Sequence, residues 1–127
     1  MVFLSLSNEI LFKSGSTTVD PKGVEAMDLL AKILNANEDI EVNIEGHTDT
    51  DKGVDNWDLS VKRATSIVRI LTNDNNKVDP KRVTASGRSE FQPKASNDSA
   101  EGKAQNRRIE VILTPNLDEI YDFLGEL

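Results

Sequence analysis

The stretch IEVNIEGHTD, residues 40–49, decides the fold. Ile40, Val42 and Ile44 face one way, and Glu41, Asn43 and Glu45 face the other. That period of two describes a strand with one buried face. The run stops at Gly46-His47-Thr48-Asp49, and a polar, glycine-containing loop, TDKGVD, follows. NWDLSVKRA then opens a helix over about residues 56–72. Its expected apolar stripe is Trp57, Val61, Ala64, Ile67 or Val68, and Leu71.

Working outward, residues 2–12 read as a strand, with Phe3, Leu4, Leu6, Ile10, Leu11 and Phe12 interleaved with polar residues. KSGSTTVDPKG is turn chemistry. Asp20-Pro21 marks a helix start, an N-cap followed by proline at the first helical position. Val24, Met27, Leu30, Ala31 and Leu34 continue it at helical spacing. Beyond the second helix, residues 83–86 form a short strand broken by Gly87. Residues 88–106 are a long polar loop with a short helical turn near 100–104. Arg108 to Leu113 is the last strand, stopped by Pro115. The order is β-α-β-α-β-(loop/short helix)-β plus a C-terminal helix. It predicts an α/β (α+β) two-layer sandwich with helices on one face of a small sheet. Residues 1–115 form the domain, and 116–127 an acidic helical tail that packs on it or extends from it as an interface.

The 127 residues suit a single domain and carry a net charge of −7 with no cysteine. Disulfides and thiolate metal sites are thereby excluded. The charge argues against nucleic acid and against anionic lipid. The tail contributes four acids and no base, so without it the net charge is −3. No apolar run approaches the ~20 residues of a membrane span. Any membrane attachment would come through a segment that this chain does not contain.

GHTD has two readings. In one, Gly46 ends the strand, His47 packs, and Thr48 and Asp49 tie down the loop. In the other, Asp49 faces a cation across a gap. Asn56, Ser60 and Arg63 lie at i, i+4 and i+7, on one face of the second helix. The start of that helix also favours an anion. An aspartate and an arginine in contact are a salt bridge; held apart, they suit a ligand with both an ammonium and a carboxylate. Arginine's planar fork grips the carboxylate, and the aspartate accepts from the ammonium. A catalytic reading, a hydrolase, would pair His47 with Asp49 or Ser60, but a single histidine with no matching nucleophile motif argues against it, and the acids show no metal-ligand spacing. Neither a cofactor nor a metal is expected. Asn106-Arg107-Arg108 opens the last strand; with Arg88 and Lys103 it makes a basic rim or pairs with nearby acids.

The ordered set IEGHTD, NWDLSVKRA, RVTASGRSEFQP and NRRIEVIL, over about residues 4–114, resembles the OmpA-like domain, the peptidoglycan-binding module also found in peptidoglycan-associated lipoproteins and MotB. SLSNEILFKSGS and NWDLS are closest to the MotB-type branch. The resemblance implies a non-enzymatic module of the periplasm or cell envelope. It implies binding of the meso-diaminopimelate of the stem peptide, whose side chain ends in an ammonium and a carboxylate. Carried over by motif position, Asp49 takes the ammonium and Arg63 the carboxylate. Thr48 and Asn56 shape the pocket, Leu59 touches the aliphatic part, and the turn at Phe12, Lys13 and Ser14 offers backbone groups. Arg107 touches glycan or peptide. Two departures stand out. Asp51 and Asp55 add acid that either strengthens ammonium binding or competes for Arg63, and Lys103 stands where arginine is frequent. A different reading keeps the scaffold as a protein-interaction or oligomerisation module, a homodimer included, without the ligand.

Overall fold

The structure, a computed structural model, describes residues 1–13, 15–115 and 124–125. Its elements are β1 (Val2–Ser7), α1 (Asn8–Leu11), α2 (Pro21–Ala36), β2 (Ile40–His47), α3 (Asn56–Leu71), β3 (Val83–Gly87), α4 (Ala100–Asn106) and β4 (Arg108–Pro115). The sheet order is β1-β4-β2-β3. β4 runs antiparallel to both its neighbours, and β2 and β3 are parallel through the α3 crossover. The expected α/β sandwich is therefore present. Of the C-terminal tail, only Leu124 and Gly125 are described, and both are exposed; the expectation of a helix there otherwise falls outside the described residues.

The core lies between the sheet and α2 and α3. Val42, Ile44, Ile109 and Val111 from the strands meet Met27, Leu30, Ala31 and Leu34 from α2 and Ala64, Ile67 and Leu71 from α3. Asp20 takes the N-cap position of α2 with Pro21 behind it, although its side chain makes no cap bond. Asp55 caps α3 by accepting from the Asp58 amide at 3.2 Å.

Two local expectations are corrected. Residues 2–12 are not one strand. Ser7 accepts from the amide of Glu9, and the chain turns into the four-residue α1. This aims Leu11 and Phe12 into the core. The stripe of α3 is also displaced. Ala64, Ile67 and Leu71 are buried as expected, but Trp57 and Val61 are exposed, and Ser60 and Arg63 are buried instead. The cause is close backbone approach. A Cβ at Gly46 would lie 2.1 Å from the Ser60 carbonyl oxygen, and one at Gly87 would lie 2.4 Å from the Ser60 hydroxyl. Glycine at both strand ends lets α3 press down at Ser60, which turns Trp57 outward.

Candidate functional site

Three parts of the chain meet at the end of β2. The first is the β1–α1 corner and the turn after it. Asn8 donates its backbone N–H to the Arg107 carbonyl at 3.0 Å, which holds this corner against the start of β4. Phe12 bridges to Val19, and Lys13 donates to the Thr18 carbonyl, closing the turn. The second part is GHTD and the loop that follows it. The third is α3 with its arginine.

Between them is a cleft of about 350 Å³. Phe12, Lys13, Arg63 and Arg107, all named from the sequence, line it. So do Asn8, Glu9, Gly15 and Asp51. Ser14 lies outside the described residues. Leu59 is half-buried on α3 and is not among the lining residues. Thr48 is buried, and its hydroxyl donates to the Asp49 carbonyl at 3.0 Å. Asn56 braces the loop by donating to the carbonyls of Asp49 and Asp51 at 3.3 and 3.1 Å.

The charges are arranged as follows. Asp49 is 4% exposed. One of its carboxylate oxygens receives Arg107 Nη1 at 2.5 Å, and the other accepts the Asp51 amide at 2.9 Å. Arg107 also has Glu9 at 3.5 Å. Arg63 is only 6% exposed, yet it has no ion-pair partner among the described residues. Its Nε donates to the Ser16 carbonyl at 3.2 Å, and its guanidinium carbon lies 5.5 Å from the centre of the Phe12 ring. Burial, and then the positive charge of Arg107, push the Arg63 pKa down, while Asp49 partly offsets them. The side-chain amide of Asn8 is buried beside the cleft, and neither its nitrogen nor its oxygen has a hydrogen-bond partner among the described residues. Buried polar groups are usually paired, so among the described residues the cleft combines an arginine without an ion-pair partner and an amide without a hydrogen-bond partner.

The added acids do not take Arg63. Asp51 pairs with Lys103 at 2.8 Å, their mutual hydrogen bond lowering the aspartate pKa and raising that of the lysine. Asp55 is occupied as the helix cap. His47 belongs to a different face. It is bonded to Glu45 at 2.8 Å, in a cluster with Arg108 and Glu110 across the sheet, not to Asp49 or Ser60. Ser60 donates to the Trp57 carbonyl and accepts from the Ser89 amide. Arg108 is also on the His47 face, bonded to Glu110 at 2.6 Å, so the two arginines of NRR part to opposite sides.

The loop over residues 88–106 owes its shape to Asn106, which sequence reasoning missed. This fully buried side chain accepts from the amides of Lys94 and Ala95 and donates to the Ala95 carbonyl and the Asn97 side chain. An asparagine immediately before two arginines was the only signal available.

The chain is similar to known proteins in sequence and in fold. The chain is 38% identical over 115 residues, 90% of its length, to the probable lipoprotein YiaD of Escherichia coli, of which the match covers 52%. It spans about half the length of the curated relatives it matches. A putative MotB-like protein from Desulfovibrio vulgaris superposes with a TM-score of 0.81 at 28% identity, over 90% of this chain and 75% of that one. The cell wall anchor of the T6SS from Pseudomonas aeruginosa superposes with a TM-score of 0.79 at 31% identity, over 90% and 80%. The OmpA family model matches residues 11–107, a span that runs from the turn below Arg63 to the arginine on Asp49; the chain belongs to the OmpA family.

Proposed function

We propose that the domain binds peptidoglycan non-covalently through the meso-diaminopimelate of its stem peptide, and so holds its parent protein to the cell wall in the periplasm. It acts by binding and not by catalysis. The observation that carries this reading is the buried Arg63, which faces the cleft without a carboxylate partner among the described residues. The diaminopimelate head brings a carboxylate to that guanidinium. The new ion pair offsets both the burial and the repulsion from Arg107. The ammonium of the same head goes to Asp49 in place of Arg107, whose second anion, Glu9, is 3.5 Å away. The Asn8 amide, able both to donate and to accept, meets the peptide backbone. A lysine side chain offers an ammonium alone and leaves Arg63 unpaired, so lysine-type stem peptide binds poorly. The cell wall anchor from Pseudomonas aeruginosa supports the same reading.

The test is calorimetric titration with a meso-diaminopimelate muropeptide, with the lysine-type peptide as control. Hydrogen bonds to charged groups contribute about 1.5–3 kcal/mol each, so Arg63→Ala lowers affinity roughly 10- to 100-fold, and Asp49→Ala lowers it by a similar factor. Equal binding of the two peptides, or full affinity in both variants, sinks the proposal. The scaffold would then serve as a protein-interaction module, for which the exposed Val2, Phe3 and Leu4 of the edge strand offer a surface.

A further inference from the structure

Trp57 and Phe91 are not spent on the core. Trp57 is 55% exposed and Phe91 64%, and their ring centroids stand 5.5 Å apart with planes tilted by 38°. Single exposed apolar residues are ordinary. Here two rings, with the exposed Val54, line one hollow of about 270 Å³. Its remaining rim is polar, including Thr50, Lys52 and Glu90.

The hollow adjoins the cleft described above. Asp51 lines both. Asn56, which holds the carbonyls of Asp49 and Asp51, also lines the hollow and immediately precedes Trp57. We propose that the Trp57–Phe91 hollow is a sugar subsite that takes a pyranose ring of the glycan strand. A pyranose presents an apolar C–H face ringed by hydroxyl and amide groups. An aromatic face, negative at its centre, attracts such polarised C–H bonds, and a polar rim answers the ring of hydroxyls. An apolar helix of a protein partner would instead want an apolar collar. The inference rests on the cleft's binding the stem peptide. That peptide is bonded to a sugar, and three residues span at most about 10 Å, so a peptide head in the cleft keeps a sugar within reach of the next hollow.

Trp57 is the chain's single tryptophan and therefore its own reporter. The whole domain is titrated with three probes: a disaccharide-tripeptide containing meso-diaminopimelate, the same tripeptide without sugar, and an N-acetylglucosamine tetramer. Affinity is read by calorimetry and the Trp57 environment by fluorescence. The expected result is that the disaccharide-tripeptide binds about three- to tenfold tighter than the free tripeptide and shifts Trp57 emission. Trp57→Ala and Phe91→Ala remove that difference and leave free-tripeptide affinity unchanged. Equal affinity of the two peptides in the unmodified domain overturns the sugar subsite and leaves the stem-peptide reading standing. Binding of the tetramer with a Trp57 shift, while the free tripeptide fails, has the opposite meaning. Failure of all three probes overturns both. Self-association that is lost in Trp57→Ala, with no sugar-dependent affinity, would assign the rings to a protein contact and overturn the proposal.

Discussion

Asp49 is neutralised by Arg107, which lies 58 residues further along the chain, and not by Arg63 of the adjoining helix. The Arg107 guanidinium is also near enough to Arg63 to push its pKa down. In the free protein the buried carboxylate is satisfied while the buried Arg63 is left available. The proposed binding of diaminopimelate would exchange one cation for another at Asp49 and add one anion at Arg63.

The first consequence concerns stability. Arg107→Ala leaves a carboxylate that is 4% exposed without its cation. Arg107 itself is about one-third exposed, which reduces the effect, so the expected loss is about 1–3 kcal/mol. Arg63→Ala, which breaks no ion pair among the described residues, should cost less. Urea denaturation of the two variants checks the ranking; a larger loss in Arg63→Ala would count against the Asp49–Arg107 pair as the stabilising contact.

A pH dependence follows from the opposite face of the sheet. Burial, and then Arg108, push the His47 pKa below its ordinary 6.5, against the pull of Glu45 and Glu110. Between the lowered value and 6.5, the unfolded chain binds more protons at this position than the folded one. Stability therefore rises with pH through that window and is fully present above 6.5. Below the lowered value the contribution is gone. Denaturation midpoints taken between pH 5 and 7.5 should show this rise, and His47→Gln should flatten it. An unchanged slope in the variant would remove His47 as its source.

Asn106 supplies a third test. Its amide makes four hydrogen bonds to the segment from Lys94 to Asn97 and is fully buried. Asn106→Ala orphans two backbone amides and should cost about 2–4 kcal/mol. Amide exchange across residues 88–106 should accelerate before global unfolding does. Protection that stays at wild-type levels there would show that the loop is held by something else.

The fourth concerns Gly46. A methyl group there collides with the backbone of Ser60, a rigid element and not a flexible side-chain end. Gly46→Ala should destabilise the protein by about 2 kcal/mol or more and lift α3 at the turn that carries Arg63. Diaminopimelate affinity should fall along with the melting temperature. A variant of normal stability would contradict the close approach of helix to sheet.

Much of this was legible in the sequence because the signals were local. Alternation over residues 40–45 gave β2, and Asp20-Pro21 marked the start of α2. The spacing of Asp49 and Arg63 put both at one end of the sheet. What could not be read depended on packing between distant segments. Trp57 sits at helical spacing from Ala64 and Leu71, but two glycines on other strands set how α3 rolls, and the roll leaves Trp57 in solvent. Residues 8–11 carry strand-like composition, yet one serine cap turns them into a helix. The pairing of Asp49 with Arg107 crosses from the end of β2 to the start of β4, and no periodicity records it.

Among the described residues β4 is the last strand in sequence, but it lies in the interior of the sheet, between β1 and β2. Without it and the arginine that precedes it, β1 has no neighbour and Asp49 has no cation. A chain cut short before residue 107 therefore loses the β1–β4–β2 part of the sheet together with the Arg107 side of the cleft. On the proposed function, a copy clipped at that point cannot compete for attachment points on the wall.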